Sequence, residues 1–136
     1  MSTPRIQLTE LSADECWSLA TALRPALGRL AFTDGGRTVI YPMNYAVSGR
    51  AVYLRTDPSS RLSTLSGTQD VAFEVDDVDP AWERGWSVLL QGTLHEVTDD
   101  AELDRNRELR LRTWASGDRL HLLRLDVDHV SGRRIA

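Results

Sequence analysis

The residue types best suited to binding chemistry lie in the segment RTDPSSRL, which begins at Arg55. Pro58 suits the first position of a helix, and the free backbone N–H groups at a helix start attract anions. Arg61 could add paired charge-assisted hydrogen bonds to the same anion. The alternative interpretation is an ordinary capped helix with a solvated arginine. The pattern therefore predicts a phosphate site formed by local backbone and four side chains, those of Thr56, Ser59, Ser60 and Arg61.

Other kinds of reactive site find no support in the sequence. All 16 basic side chains are arginines, which excludes mechanisms that use a lysine amine. The single cysteine, Cys16, has no second thiol to pair with, and the three histidines lack metal-ligand spacing, so no metal site is expected. GxGxxG, GxxxxGK[ST] and GxSxG motifs do not occur. No catalytic side chain can be assigned.

Two further features bear on the site. Pro42 cannot donate a ladder hydrogen bond, so we expect it at a sheet edge or a bulge. Glu74 and Asp76 alternate with Val75 in a strand pattern, and we expect them to face solvent rather than to form an acid/base pair.

The net charge is −4, and the only dense basic stretch is interleaved with acidic residues, so nucleic-acid binding is not expected.

The elements that must position these residues form one domain, residues 1–136, of ordinary globular composition. The longest aliphatic run has three residues, too short to cross a membrane, and the N-terminus does not have the pattern of a signal peptide. We therefore expect a cytoplasmic protein that does not associate with a membrane.

A helix is predicted over about residues 12–24, because Ser12 and Glu15 have capping-box spacing and Pro25 ends the pattern. From about residue 28 to 135, tight turns separate six or so antiparallel strands, with a short helix near 58–65 and another after Asp99. HLLRLDV and VSGRRI are predicted as two separate strands, and Gly92 indicates a bulge or a close backbone contact. This pattern predicts a mainly β fold, a small barrel.

The ordered blocks LSADECWSLATAL, GRLAF, VIYPMNYAV, VYLRTDPSSRLSTL, VAFEVDDVD, GWSVLLQGTLHEV and SGRRI make a family resemblance visible. From about residue 11 to 135 the chain resembles the pyridoxamine 5'-phosphate oxidase-like flavin-binding split β-barrels. The resemblance implies a six-stranded antiparallel split barrel, a homodimer, and FMN bound at the subunit interface. Some relatives use a deazaflavin coenzyme or haem instead.

The resemblance also implies which residues contact the cofactor. In relatives, one strand runs its backbone along the isoalloxazine ring, the block similar to RTDPSSRL binds the phosphate, and two further blocks approach the cofactor near the partner subunit. Each of these residues also has an ordinary structural interpretation. Pro42 would then be a bulge proline, Trp86 would make a plain subunit contact, and Arg133 would be an exposed terminal arginine. The implied cofactor-binding residues are Pro42, Met43, Asn44, Arg55, Thr56, Ser59, Ser60, Arg61, Trp86, Ser87 and Arg133.

The function implied is that of an FMN-binding flavoprotein, a small flavin-dependent oxidoreductase that acts on a small-molecule substrate or electron donor. A deazaflavin-dependent reductase and a non-catalytic flavin or haem binding module are the alternatives. Because a bound flavin carries the chemistry, no catalytic side chain need appear in the sequence. Pyridoxamine phosphate oxidation itself is not expected, since the Arg-x-His pattern of the true oxidase does not follow SGRRI.

Overall fold

The computed structural model describes residues 7–56, 61–65, 67–106 and 121–135. This part of the chain is mainly β, as predicted, with two α-helices and one short 3-10 helix. None of its helices has the length and apolar character needed to span a membrane. The helices are α1 (Ala13–Ala22), α2 (Asp100–Arg105) and the 3-10 helix Arg61–Thr64; the strands are β1 (Leu8–Glu10), β2 (Leu27–Asp34), β3 (Arg37–Asn44), β4 (Ala46–Ser48), β5 (Ala51–Thr56), β6 (Thr68–Asp79), β7 (Arg84–Glu96) and β8 (His121–Ile135).

Helix α1 begins with the predicted capping box. The Ser12 hydroxyl accepts a hydrogen bond from the Glu15 backbone N–H at 3.2 Å, and the Glu15 carboxylate accepts one from the Ser12 N–H at 3.1 Å. The helix ends at Ala22, two residues earlier than predicted, because Leu23 already has an extended backbone with ψ 130. Pro25 disfavours helical geometry at Arg24, the residue before it, so the helix cannot reach Pro25, and it ends one residue before this restriction applies.

The strands form one antiparallel sheet in the order β3-β2-β6-β7-β8-β5-β4, and β1 pairs with β8. The predicted β2–β3 hairpin turns at Gly35 and Gly36, whose φ angles are 59 and 80. Strand β3 lies at an edge of the sheet, which confirms the position expected for Pro42. The sheet curls until β3 contacts β5, with no ladder between their described residues. The result is a split barrel.

The barrel core follows from period-two alternation along the strands. Leu30, Phe73 and Leu90 are fully buried, and burying a side chain of this size contributes about 1.5–3 kcal/mol. A second apolar cluster lies outside the barrel, where Tyr53 and Leu122 pack near α2. The Glu102 carboxylate anchors α2 there: it accepts hydrogen bonds from the Tyr53 hydroxyl at 2.8 Å and from Arg124 at 2.6 and 2.7 Å.

Two details differ from the prediction. The described chain contains eight strands rather than six, because the three-residue strands β1 and β4 add to the six longer ones. The two strands predicted for HLLRLDV and VSGRRI are one continuous strand, β8. The pairing register shifts where β8 lies opposite Gln91 and Gly92, which leaves one extra residue of β8, Asp128, without a partner on β7. The strand continues on both sides of this bulge. The same shift confirms the bulge predicted at Gly92.

Candidate functional site

The site residues are positioned by the face of the sheet that points away from the core, which we call the outer face. Because Leu30 and Phe73 point inward and are fully buried, their neighbours Arg29 and Glu74 lie on the outer face. Successive strand partners form a row across five strands on this face. At about 4.8 Å per strand, the row is about 19 Å wide. Its members are Pro42, Arg29, Glu74, Leu89 and Ser131.

The predicted ring-contacting block ends β3. Pro42 lies on the outer face, and Asn44 follows two residues later on the same face. The Asn44 side-chain amide donates a hydrogen bond to the Ala26 carbonyl at 3.0 Å, which fixes the end of β3 to the chain before β2. Met43 points inward and is 7% exposed within the core, so only its backbone could face a ligand.

The predicted phosphate-binding block ends β5. Arg55 pairs with Leu122 of β8, and the guanidinium Nε of Arg55 is buried with no hydrogen-bond partner among the described residues. Leaving a buried donor unsatisfied costs about 1–3 kcal/mol, so a ligand acceptor at this position would be favourable. Thr56 is 6% exposed, one of two buried polar residues in the described chain.

The rest of this block lies largely outside the described residues. Pro58, Ser59 and Ser60 lie outside the described residues, and so does the side chain of Arg61. The backbone of Arg61 begins a 3-10 helix rather than an α-helix in the part that is described. The predicted phosphate role of these residues therefore stays a prediction.

The end of β3 and the end of β5 lie close together. Only Tyr45 separates β3 from β4, and β4 pairs with β5 through Ala46 and Tyr53. Continuing this register by two residues would bring Asn44 level with Arg55, and β3 does contact β5. The ring-contacting block and the phosphate-binding block are thus neighbours in the fold.

The third predicted group lies where β7 begins and β8 ends. Ser87 pairs with Arg133, and both lie on the outer face. Trp86 lies on the opposite side of β7, where it is partly buried and packs against the core. The structure therefore places Ser87 and Arg133 together, whereas the Trp86 side chain is turned away from them.

A charged group that the sequence did not reveal lies between these sets. One Arg29 guanidinium nitrogen is 3.2 Å from a Glu74 carboxylate oxygen and 3.2 Å from an Asp76 carboxylate oxygen. We call these three residues the charged triad. Glu74 and Asp76 were expected to face solvent, but each side chain is only 34% exposed. Because Arg29 is 45 residues from Glu74 in the chain, their pairing depends on the β2–β6 register, for which no local pattern exists.

The electrostatics of the triad favour a protonated Glu74. Burial and the neighbouring Asp76 carboxylate together raise the pKa of Glu74 to about 7, against the lowering effect of Arg29. A carboxyl group with this pKa changes charge near neutral pH. The outer face therefore carries a proton-holding group in the row that joins Pro42 to Leu89.

The histidines take surface positions. His95 Nε2 lies 3.3 Å from an Asp126 carboxylate oxygen, and His121 Nδ1 lies 2.9 Å from a Glu96 carboxylate oxygen. Within the described ranges, no three His, Cys, Asp or Glu side chains are arranged to hold a metal ion.

Taken together, these placements form a band around the outer face. Its order is Arg55 on β5, Pro42 on β3, the charged triad on β2 and β6, and then Ser87 and Arg133 on β7 and β8. The band combines a buried donor that has no partner among the described residues, an edge-strand backbone, a titrating carboxyl and a hydroxyl–guanidinium pair. The arginines at its two ends, Arg55 and Arg133, can each bind an anionic group, whereas the carboxylates of Glu74 and Asp76 lie between them.

Comparisons with known proteins agree with this architecture. The sequence model of the family described as Pyridoxamine 5'-phosphate oxidase matches residues 12–134. The uncharacterized protein Rv0080 of Mycobacterium tuberculosis H37Rv is 31% identical over 134 residues, which are 95% of this chain and 86% of that protein.

Solved structures show the same relationship. The FAD binding protein from Mycobacterium smegmatis has a TM-score of 0.81 and 35% identity, covering 94% of this chain and 100% of that one. The FAD and heme binding protein from the same organism has a TM-score of 0.70 and 23% identity, covering 91% of this chain and 72% of that one, and this likeness concerns the fold alone. By its sequence and its split barrel, this chain belongs to the pyridoxamine 5'-phosphate oxidase family.

Proposed function

We propose that this protein binds a flavin nucleotide along the band of the outer face and serves as a flavin-dependent oxidoreductase. The observation that carries the proposal is the buried Arg55 Nε, which has no partner among the described residues and belongs to β5, the strand that β3 contacts. A riboflavin phosphate would supply the missing acceptor. Thr56 follows Arg55 but shares the inward face of β5 with Leu54, so only its backbone adjoins Arg55. The predicted Ser59, Ser60 and Arg61 follow in the same block.

FMN and FAD share this phosphate, so the chemistry of Arg55 suits both. The resemblance found in the sequence points to FMN, whereas the solved structure at 35% identity is that of a FAD binding protein. The proposal is therefore a riboflavin 5'-phosphate group, carried either by FMN or by FAD.

The flavin ring would lie along the end of β3. Pro42 has no N–H, and β3 has a ladder partner only on its β2 side among the described residues, so its other backbone groups are free to bind a ligand. When bound, the flavin supplies the hydride or electron transfer, and the chain binds and orients it for a small-molecule substrate or electron donor. Neither a deazaflavin nor haem is favoured by a specific feature of the described residues.

We also propose that the protein is a homodimer. Apolar side chains are exposed on the outer face, among them Val78 at 61% and Ile40 at 60%. Leu8 pairs with Ile135, Ile135 with Gly85, and Gly85 with Val78, which makes one apolar row across β1, β8, β7 and β6. A second copy would cover this row, and Ser87 and Arg133, which lie two residues from Gly85 and Ile135 on the same face, would then adjoin the partner subunit.

Replacing Arg55 by alanine tests the binding site. We expect Arg55→Ala to weaken the binding of FMN by about tenfold or more, because a charge-assisted hydrogen bond is worth about 1.5–3 kcal/mol. The affinity for riboflavin, which lacks the phosphate, should fall much less. Fluorescence titration of FMN, FAD and riboflavin measures all three affinities and identifies the preferred nucleotide.

The control is Arg37→Ala, which removes an exposed arginine at the start of β3 and should leave all three affinities unchanged. Equal losses for FMN and riboflavin in Arg55→Ala would show that Arg55 acts through folding. That result would remove the support for a phosphate site at this position.

The oxidoreductase activity has a separate test. The visible spectrum and mass of the cofactor that copurifies with the protein identify it as flavin, deazaflavin or haem. Anaerobic mixing of the flavin-loaded protein with NADH, NADPH or a reduced deazaflavin should bleach the flavin band faster than it bleaches free flavin. If no donor does so, the non-catalytic binding module replaces the oxidoreductase.

A further inference from the structure

A polar cavity of about 480 Å³ opens on the outer face, where β6, β7 and β8 lie side by side. This volume lies within the range of about 300–1,000 Å³ that is usual for small-molecule sites. Every described lining residue except the glycine has a polar side chain. The lining residues are Gln69, Asp70, Gln91, Gly92, Thr93, Asp128 and His129.

Two β-bulges on either side of β7 shape the cavity. On β6 the register shifts between Thr68 and Val71, which pair with Leu94 and Gly92, so Gln69 and Asp70 together face the single residue Thr93. On β8, Asp128 is the extra residue, because its neighbours His129 and Val127 pair with Gln91 and Gly92. Bulges redirect side chains, and here each bulge places an aspartate at the cavity.

The backbone at the cavity floor is constrained in the same way. A Cβ atom added to Gly92 would collide with the Asp126 carbonyl oxygen, so only glycine allows β7 and β8 to approach this closely. Asp70 has φ 58, in the left-handed region that few non-glycine residues adopt. The cavity thus combines an aspartate in an uncommon conformation with a glycine that cannot be replaced without a backbone shift.

The chemistry of the lining is acidic and rich in hydrogen-bonding groups. Asp70 and Asp128 supply two carboxylates, and the one basic side chain among the described lining residues is the His129 imidazole. The amides of Gln69 and Gln91 and the Thr93 hydroxyl can donate and accept. A ligand suited to this lining carries positive charge and several N–H donors.

We infer that this cavity binds a small organic cation bearing amino or guanidino groups. An inorganic cation is not the proposed occupant, because the described chain places no three His, Cys, Asp or Glu side chains together for a metal. The inference does not depend on flavin binding, since none of the lining residues belongs to the predicted flavin-binding set.

Amide NMR on the protein as purified tests the inference with 1,4-diaminobutane and agmatine as probes. At physiological ionic strength, we expect saturable shifts at the amides of Gln69, Asp70, Thr93 and His129, with Kd in about the millimolar range or tighter. Asp70→Asn and Asp128→Asn should each weaken the binding of the probes by about tenfold or more, because each removes a charge-assisted hydrogen bond. Flavin affinity should stay unchanged in both variants.

Two controls exclude a general charge effect. The uncharged 1,4-butanediol matches the length of the diamine and should cause no saturable shift. Asp77→Asn removes an exposed carboxylate elsewhere on β6 and should leave the probe affinities unchanged. The inference is overturned if the diol or calcium ions give the same shifts, if Asp77→Asn weakens the probes as much as Asp70→Asn, or if the shifts do not saturate.

Discussion

Glu74 is the residue whose surroundings change its ordinary chemistry most clearly. In the folded protein, burial and the Asp76 carboxylate raise its pKa to about 7 from an ordinary value of 4.5. Between these two values the folded state holds a proton that the unfolded state releases. The contribution of Glu74 to the free energy of unfolding is therefore fully present below about pH 4.5 and is lost as the pH rises through about 7.

Glu74→Gln should flatten this dependence. The variant cannot ionise at this position, so its free energy of unfolding should fall less between pH 5 and 8 than that of the unchanged protein. Urea denaturation at several pH values measures the difference. Glu83→Gln changes an exposed glutamate in the β6–β7 turn and serves as the control. Identical pH dependence in both variants and the unchanged protein would contradict the assignment.

At the residue scale, the sequence indicated which side chains suit a ligand but not which of them meet. Pro42 was recognised because a residue without an N–H has few places in a sheet. The sequence does not predict a role for Arg29, because nothing in its local segment distinguishes it from the other arginines. Its partners Glu74 and Asp76 become visible only when β2 and β6 are paired.

At the scale of elements, β7 depends on one glycine. Gly92 faces the Asp126 carbonyl so closely that a methyl group would displace β8. Because β7 is paired along both of its edges, with β6 and with β8, the displacement would disturb the centre of the sheet.

Gly92→Ala should destabilise the protein by about 1–3 kcal/mol, the usual cost of inserting extra volume into a packed region. Chemical denaturation measures the change. Ser131→Ala, an exposed position on β8 in the outer row, should change stability by about 0.5 kcal/mol or less. If Gly92→Ala is as mild as Ser131→Ala, the close approach of the two strands is not essential to the fold.

The local elements were predicted well where a short sequence signal determines them. Ser12 and Glu15 specified the start of α1, and the Gly35–Gly36 pair specified the hairpin between β2 and β3. Strand β8 was divided in two because the polar interruption around Asp128 looks like a turn. Whether a strand continues through such an interruption depends on its neighbours, and here β7 accommodates the extra residue.

For the whole molecule, the apolar row on the outer face bears on the proposed dimer. Val78→Asp should dissociate the dimer, because it would bury an unpaired charge against the second copy. Sedimentation at micromolar concentration measures the change in mass. Ser18→Asp adds the same charge on the exposed side of α1 and should leave the dimer intact. A stable monomer that still binds flavin tightly would contradict the proposal.

The family and the barrel could be inferred from the order of sequence blocks, because each block keeps its place in the chain. The site could be inferred only in part. The sequence grouped Trp86 with Ser87, but alternation places their side chains on opposite faces of β7, and only Ser87 shares a face with Arg133. The polar cavity depends on two bulges in separate strands, and their alignment could not be predicted.

Strand β8 has a consequence for how the protein is made. It pairs with β1, β5 and β7, and all three precede it in the chain. While the ribosome is still synthesising the chain, β7 and β5 therefore each lack a partner on the side that β8 will fill. Unpaired strand edges promote aggregation in incomplete chains, and pairings between distant segments form slowly. The nascent protein thus depends on β8 to close the sheet, and until β8 is made, β5 and β7 each keep one edge unpaired.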